Sequence, residues 1–140
     1  MAAEFKMTRR VQFAETDQAG VMHFANFFRI MEETEHAFWR SVGQSVHVRD
    51  AEQEVGWPRV RASCEYFAPA RFEDVLELTL RVTEVTATKF SYELDFVREA
   101  KVLAKGRTTA VCCSIENASF TPVRIPDHLR ARLEELLTTA

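Results

Sequence analysis

VQFAETDQAGVMHFANFFRIMEETEHAFWRSVG, residues 11–43, changes its hydrophobic period halfway along. Val11 and Phe13 alternate with Arg10 and Gln12, so residues Thr8 to Ala14 read as a short strand. Glu15-Thr16-Asp17 and Gly20 then break the pattern. Beyond them the apolar residues recur every three or four positions, which predicts a helix of about five turns ending at Gly43. Phe24, Phe27, Phe28, Met31, Phe38, Trp39 and Val42 share one helix face, and Arg29, Glu33, His36 and Arg40 fall opposite. That is a core helix with a wet back.

An acid, Asp17, therefore stands just before a helix. The first turn of a helix has unpaired N–H groups and partial positive charge, which can hold a negative ligand or a developing oxyanion. A carboxylate beside such donors could attack a carbonyl or activate water, and esters and thioesters suit that pair. An acid and a glycine before a helix can equally be a turn and a cap. Glu35 is a second anomaly, lying between Met31 and Phe38 on the apolar face. It either points at a substrate or a subunit interface, or sits at the edge of the buried area, paired or reaching water. The second is the expectation for an acid of this kind.

The remaining chain supplies sheet. Residues 57–67 alternate Val60, Ala62, Cys64 and Tyr66 against Arg59, Arg61, Ser63 and Glu65, up to a stop at Ala68-Pro69-Ala70. Leu76, Leu78, Leu80 and Val82 give the cleanest two-residue period, and Phe90, Tyr92, Leu94 and Phe96 repeat it, so the two should form an antiparallel hairpin. Glu99-Ala100-Lys101 turns the chain into a last long strand over Val102 to Asn117, with Gly106 a bulge or a point of close backbone approach. Gln44 to Gly56 lacks a period and reads as a loop. Pro126 opens a C-terminal helix with Leu129, Leu133, Leu136 and Leu137 on a stripe. The order is strand, helix, four strands, helix, and a curved antiparallel sheet with one apolar face needs the phenylalanine-rich helix to cover it.

Composition bounds the function. One hundred and forty residues, 46% hydrophobic and 28% charged, suit one globular domain spanning 1–140. A net charge of −3 leaves no footprint for nucleic acid. The absence of a membrane-length apolar run, or of a signal-peptide core in MAAEFKMTRR, predicts no membrane and a cytoplasmic protein. Cys64, Cys112 and Cys113 have neither zinc nor disulfide spacing, and Cys64 with one of the adjacent pair should face the core. His23, His36, His47 and His128 lack metal-ligand spacing, so no metal is expected; His23, just before the helix, could line the pocket near Asp17. Long sheet edges favour pairing with a second copy.

The string Phe13-Ala14-Glu15-Thr16-Asp17-Gln18-Ala19-Gly20-Val21, with Asn26-Phe27, Glu32, the phrase Tyr66-Phe67-Ala68-Pro69-Ala70-Arg71 and Asp74, resembles the 4-hydroxybenzoyl-CoA thioesterase family of hotdog-fold proteins. The likeness runs from about Arg10 to Pro126. It implies an α+β hotdog fold, about five antiparallel strands wrapped round one long helix, and hydrolysis of an acyl-CoA thioester without a metal or redox cofactor. By matching position, Asp17 would be the catalytic carboxylate and the Phe24 N–H the oxyanion donor, and Glu32, which matches a frequent family acid, would help position the substrate; Gly20, Phe27 and His23 are further candidates around it, His23 being otherwise an exposed loop histidine. Many family members carry histidine and tyrosine where Phe24 and Phe27 stand, so a histidine-assisted route is not expected, and the more apolar mouth favours an aromatic acyl group such as 1,4-dihydroxy-2-naphthoyl or 4-hydroxybenzoyl. Arg59 and Lys89, with Arg61 and Arg124, are candidates for the CoA phosphates. The family implies a homodimer or homotetramer with sites at the subunit interface. The rivals are a hotdog dehydratase on acyl carriers and a non-catalytic acyl-CoA-binding module.

Overall fold

The computed structural model describes residues 4–49 and 53–137. A five-stranded antiparallel sheet is ordered β1 (Phe5–Arg10), β5 (Val75–Val85), β6 (Lys89–Arg98), β7 (Lys101–Val111), β4 (Arg59–Tyr66). The helix α1 (Ala25–Ser41) packs on one face of it, and α2 (Asp127–Glu135) closes one end with Leu129 and Leu133 buried. A small second sheet joins β2 (His47–Arg49), β3 (Glu54–Gly56), β8 (Cys113–Glu116) and β9 (Ser119–Pro122). This is the expected α+β hotdog fold, with more strands than the expected five.

The alternation in β5 and β6 is physical. Leu76, Leu78, Leu80 and Val82, and Phe90, Tyr92, Leu94 and Phe96, are all buried under α1, and the two strands pair antiparallel. Aromatic edges fix the helix on the sheet: Phe27 meets Phe96 with ring centroids 5.0 Å apart, and Trp39 meets Phe90 at 5.1 Å. Gly106 is a point of close approach. A Cβ there would stand 2.6 Å from the Met31 sulfur, so α1 rests directly on the backbone of β7. Gly43, at φ +79°, ends the helix, with the Gln44 N–H returning to the Trp39 carbonyl at 2.8 Å.

Several sequence expectations are corrected. The first strand is Phe5–Arg10, not Thr8–Ala14, and Phe13–Glu15 is a turn of 3-10 helix. Glu15 explains this: its side chain turns back to accept the Gln12 N–H at 2.8 Å, a local bond that a strand would forgo. Gln44–Gly56 is not one loop, since β2 and β3 lie within it; residues 50–52 of that stretch lie outside the described residues. The long strand over Val102–Asn117 breaks at Cys112, where the chain leaves one sheet for the other, and an unanticipated strand, β9, follows the turn at Asn117 and Ala118. Both adjacent cysteines are buried and Cys64 is half-buried, all three as free thiols.

β4 is the most instructive correction. It forms the sheet edge and is exposed along nearly its whole length, so that of its apolar side chains Val60 stays outside while the half-buried Cys64 packs against the core as expected. A bulge between Arg59 and Arg61 shifts the register against β7. Arg59 thereby takes the inward place that strict alternation assigns to Val60, which is 60% exposed.

Candidate active site

The turn carrying Asp17 is a small hairpin. Thr16 bridges Met22, the Asp17 N–H donates to the Val21 carbonyl at 3.0 Å, and Gly20 adopts φ +81° to close the corner. The Ala19 N–H donates to Asp17 Oδ1 at 2.8 Å, which aims the carboxylate and leaves Oδ2 open. Asp17 is exposed and makes no ion pair among the described residues, so its charge is uncompensated.

The helix start presents the complementary group. His23 Nδ1 accepts the Ala25 N–H at 3.1 Å and the His23 carbonyl accepts the Asn26 N–H at 2.9 Å. Among the described residues the Phe24 N–H has no acceptor, and Phe24 as a residue is 64% exposed. Phe24 and Phe28 were expected on the buried face; both are exposed on the side of α1 nearest β4. Asp17, Val21, Met22, Phe24 and Phe27 form one wall of a cleft of about 370 Å³, and Tyr66 to Pro69 form the other. The Tyr66 hydroxyl donates to the Phe24 carbonyl at 3.1 Å, and its ring meets Phe27 edge-on at 5.0 Å. Burial, with the nearby Cys64, pushes the Tyr66 hydroxyl up to about 12, so it stays a neutral donor.

Beneath the cleft lies a scaffold whose role composition and spacing did not reveal. Glu15, only 4% exposed, is held by both terminal nitrogens of Arg9, with the second pair at 2.6 Å, and Arg9 also reaches Glu33 at 2.9 Å. The Glu15 carbonyl accepts the His23 N–H at 2.8 Å and the Asn26 side-chain amide at 2.9 Å. One residue therefore ties the Asp17 turn to the helix start. Burial works against the charged form of Glu15, yet the Arg9 and Gln12 donors outweigh it and hold its pKa below the ordinary 4.5. The opposite wall is anchored likewise: Asp74 accepts the Arg71 N–H at 2.8 Å and Arg98 at 2.7 Å, while Arg98 reaches the Pro69 carbonyl.

The other candidates are placed apart. Phe27 lines the cleft with Asp17 and Gly20 closes the Asp17 turn, whereas His23 stacks on Phe24 with centroids 4.6 Å apart and is not among the residues lining the cleft. Glu32 is exposed one turn and a half further along α1, and Lys89 stands at the opposite end of β6 from Phe96. Arg59 faces inward: it donates to Glu35 at 2.6 Å and to the Trp57 carbonyl at 3.1 Å. Glu35 is not at the edge of the core. It is fully buried and accepts Trp39 Nε1 at 3.1 Å and the Tyr92 hydroxyl at 2.9 Å as well.

A lone carboxylate and an open helix-start amide thus face one cleft on a helix-wrapping sheet, the arrangement that the resemblance to hotdog thioesterases implied. Residues 11–133 match the family model of the thioesterase-like superfamily, and the chain belongs to that superfamily of hydrolases. Over 124 residues it is 31% identical to a 1,4-dihydroxy-2-naphthoyl-CoA hydrolase of Synechocystis, covering 87% of this chain and 90% of that one. The crystal structure of a 1,4-dihydroxy-2-naphthoyl-CoA thioesterase from Synechocystis superposes with a TM-score of 0.80 at 26% identity, over 96% and 98% of the two chains. A gentisyl-coenzyme A thioesterase gives 0.79 at 26%, over 92% and 99%.

Proposed function

We propose that this chain hydrolyses an aromatic acyl-CoA to the free acid and CoA, with Asp17 as nucleophile or general base and the Phe24 N–H as oxyanion donor. The observation that carries the reading is the unpaired Phe24 amide beside the uncompensated Asp17 carboxylate in one cleft. Asp17 Oδ2 attacks the thioester carbon or takes a proton from the attacking water; negative charge grows on the carbonyl oxygen against the Phe24 N–H, and the thiolate of CoA departs. Water completes the balance on either route, so the reaction as written needs no metal or redox cofactor.

Phe24, Phe27, Tyr66 and Phe67 around the cleft favour a flat apolar acyl group, in keeping with the aromatic substrates in the names of the relatives. The chain works as a homo-oligomer through β4, an eight-residue unpaired edge. Two copies of β4 running antiparallel bring the Arg59 end of one beside the Tyr66 end of the other, and with it a second copy's Lys89, one position along β6 from the Phe90–Ala110–Arg59 row, toward the CoA phosphates at the cleft. The cytoplasm, where thiols such as Cys64, Cys112 and Cys113 stay reduced, is the fitting compartment; among the described residues no helix is long and apolar enough to cross a membrane.

Asp17→Asn removes the charge and preserves the turn, because Oδ1 still accepts the Ala19 N–H. Thiol release from aromatic acyl-CoAs should fall by about a hundredfold or more with the melting temperature unchanged. Undiminished turnover in that variant would refute the role given to Asp17.

A further inference from the structure

His23 stands outside the wall of the Asp17 cleft, yet three of its groups are held at the helix start. Its N–H donates to the Glu15 carbonyl at 2.8 Å, its carbonyl accepts the Asn26 N–H at 2.9 Å, and its Nδ1 accepts the Ala25 N–H at 3.1 Å. Phe24 already has helical angles, φ −56° and ψ −33°, so His23 is the residue whose side chain caps α1, a place usually filled by Ser, Thr, Asp or Asn. We infer that His23 is a positioning residue for the oxyanion site: its imidazole caps α1 so that the Phe24 N–H is the one helix-start amide left open, and it holds that amide toward the cleft.

Peptide geometry carries the argument. The bond between His23 and Phe24 is trans, so the carbonyl of the one and the N–H of the other point in opposite directions. The His23 carbonyl points along α1, to the Asn26 N–H, and the Phe24 N–H must therefore point back, away from the helix body. The next peptide is held at both ends. Its N–H, that of Ala25, goes to His23 Nδ1, and its carbonyl, that of Phe24, accepts the Tyr66 hydroxyl at 3.1 Å and the Phe27 N–H at 3.3 Å. Phe24 thus sits between two fixed peptide planes, and His23 anchors both.

The side-chain bond matters because an uncapped first turn frays. Without Nδ1, the Ala25 N–H becomes a second open donor beside the Phe24 N–H, and the plane that fixes Phe24 from the helix side is freed at one end. An oxyanion donor works by being in place before the charge develops, so lost direction costs rate and leaves the affinity for the ground-state thioester alone. The ring stack of His23 on Phe24 is a separate contact, made by the faces of the rings and not by Nδ1. The inference rests on the thioesterase reading for the reaction that the amide serves.

Two variants of the full-length chain separate the acceptor from the ring. His23→Phe keeps a ring to stack on Phe24 and has no acceptor for Ala25, whereas His23→Asn loses the ring and keeps an acceptor suited to capping. In thiol release from benzoyl-CoA and 1,4-dihydroxy-2-naphthoyl-CoA, His23→Phe should lower kcat by about tenfold or more with KM unchanged, as for an interaction made only in the transition state, and His23→Asn should recover most of that loss. By NMR, the Ala25 amide proton should exchange with solvent about tenfold faster in His23→Phe than in the wild type or His23→Asn, while the amides of β5 and β6 keep their protection. Ala25 exchange unchanged in His23→Phe overturns the cap. Faster exchange with undiminished kcat, or a kcat in His23→Asn as low as in His23→Phe, overturns the positioning role. No thiol release from the wild type on either thioester, with the exchange difference present, instead overturns the thioesterase reading and upholds the cap.

Discussion

Glu15 touches no substrate in the proposed reaction, yet its side chain, its carbonyl and its neighbours hold Asp17 and Phe24 in one frame. Its pKa is lowered on folding, so it adds stability above its unfolded value near 4.5, and that contribution is lost as pH falls through the lower folded value. Asp74 behaves the same way on the other wall. The melting temperature should therefore drop as pH falls below about 4.5, and Glu15→Gln should lower it at neutral pH while flattening the acid dependence. A melting curve against pH for both proteins checks this; identical acid slopes would remove Glu15 from the account. In the sequence Glu15 was visible as part of the family-like string, but its partner Arg9 was not, because one arginine in a strand says nothing about where its guanidinium goes.

At the scale of elements, α1 and the β5–β6 hairpin were legible because each repeats one period over many residues, and burial enforces that period. The contact of α1 with β7 was half legible: Gly106 suggested close approach, and the structure names Met31 as what approaches. Gly106→Ala should destabilise by about 1–3 kcal/mol, since the methyl needs space the Met31 thioether occupies. Chemical denaturation measures it, and adding Met31→Ala should recover part of the loss of the added methyl, so additive effects would count against the contact. β4 was misread for a related reason. Alternation identifies a strand, but a single bulge inverts which side chain faces in, and that bulge came from pairing with β7.

At the scale of the molecule, β4 pairs with β7 along one side and, among the described residues, has no strand neighbour along the other. If β4 joins two copies, sedimentation should give at least twice the 16.1 kDa of the chain, and specific activity should fall on dilution together with the population of the oligomer. A fully active monomer would exclude a shared site. The outer face of the sheet has the opposite character: Arg81 joins Glu4 and Asp95, and Arg107 joins Glu93 and Glu65, a charged ladder suited to water.

What the amino-acid sequence determined by itself was whatever depends on local order: the period that makes α1 a core helix, the turn at Asp17 and Gly20, and the backbone amide at Phe24, which exists whatever the side chain. Whether that amide is unpaired, which carboxylate is buried, and where Arg59 points were decided only in three dimensions. Each is settled by partners far away in the chain, Glu35 by Tyr92 across 57 positions and Arg9 by Glu33 across 24. A hydrogen-bond donor or charge has no preferred partner until packing supplies one, and that is why the scaffold of the site appeared only with the fold.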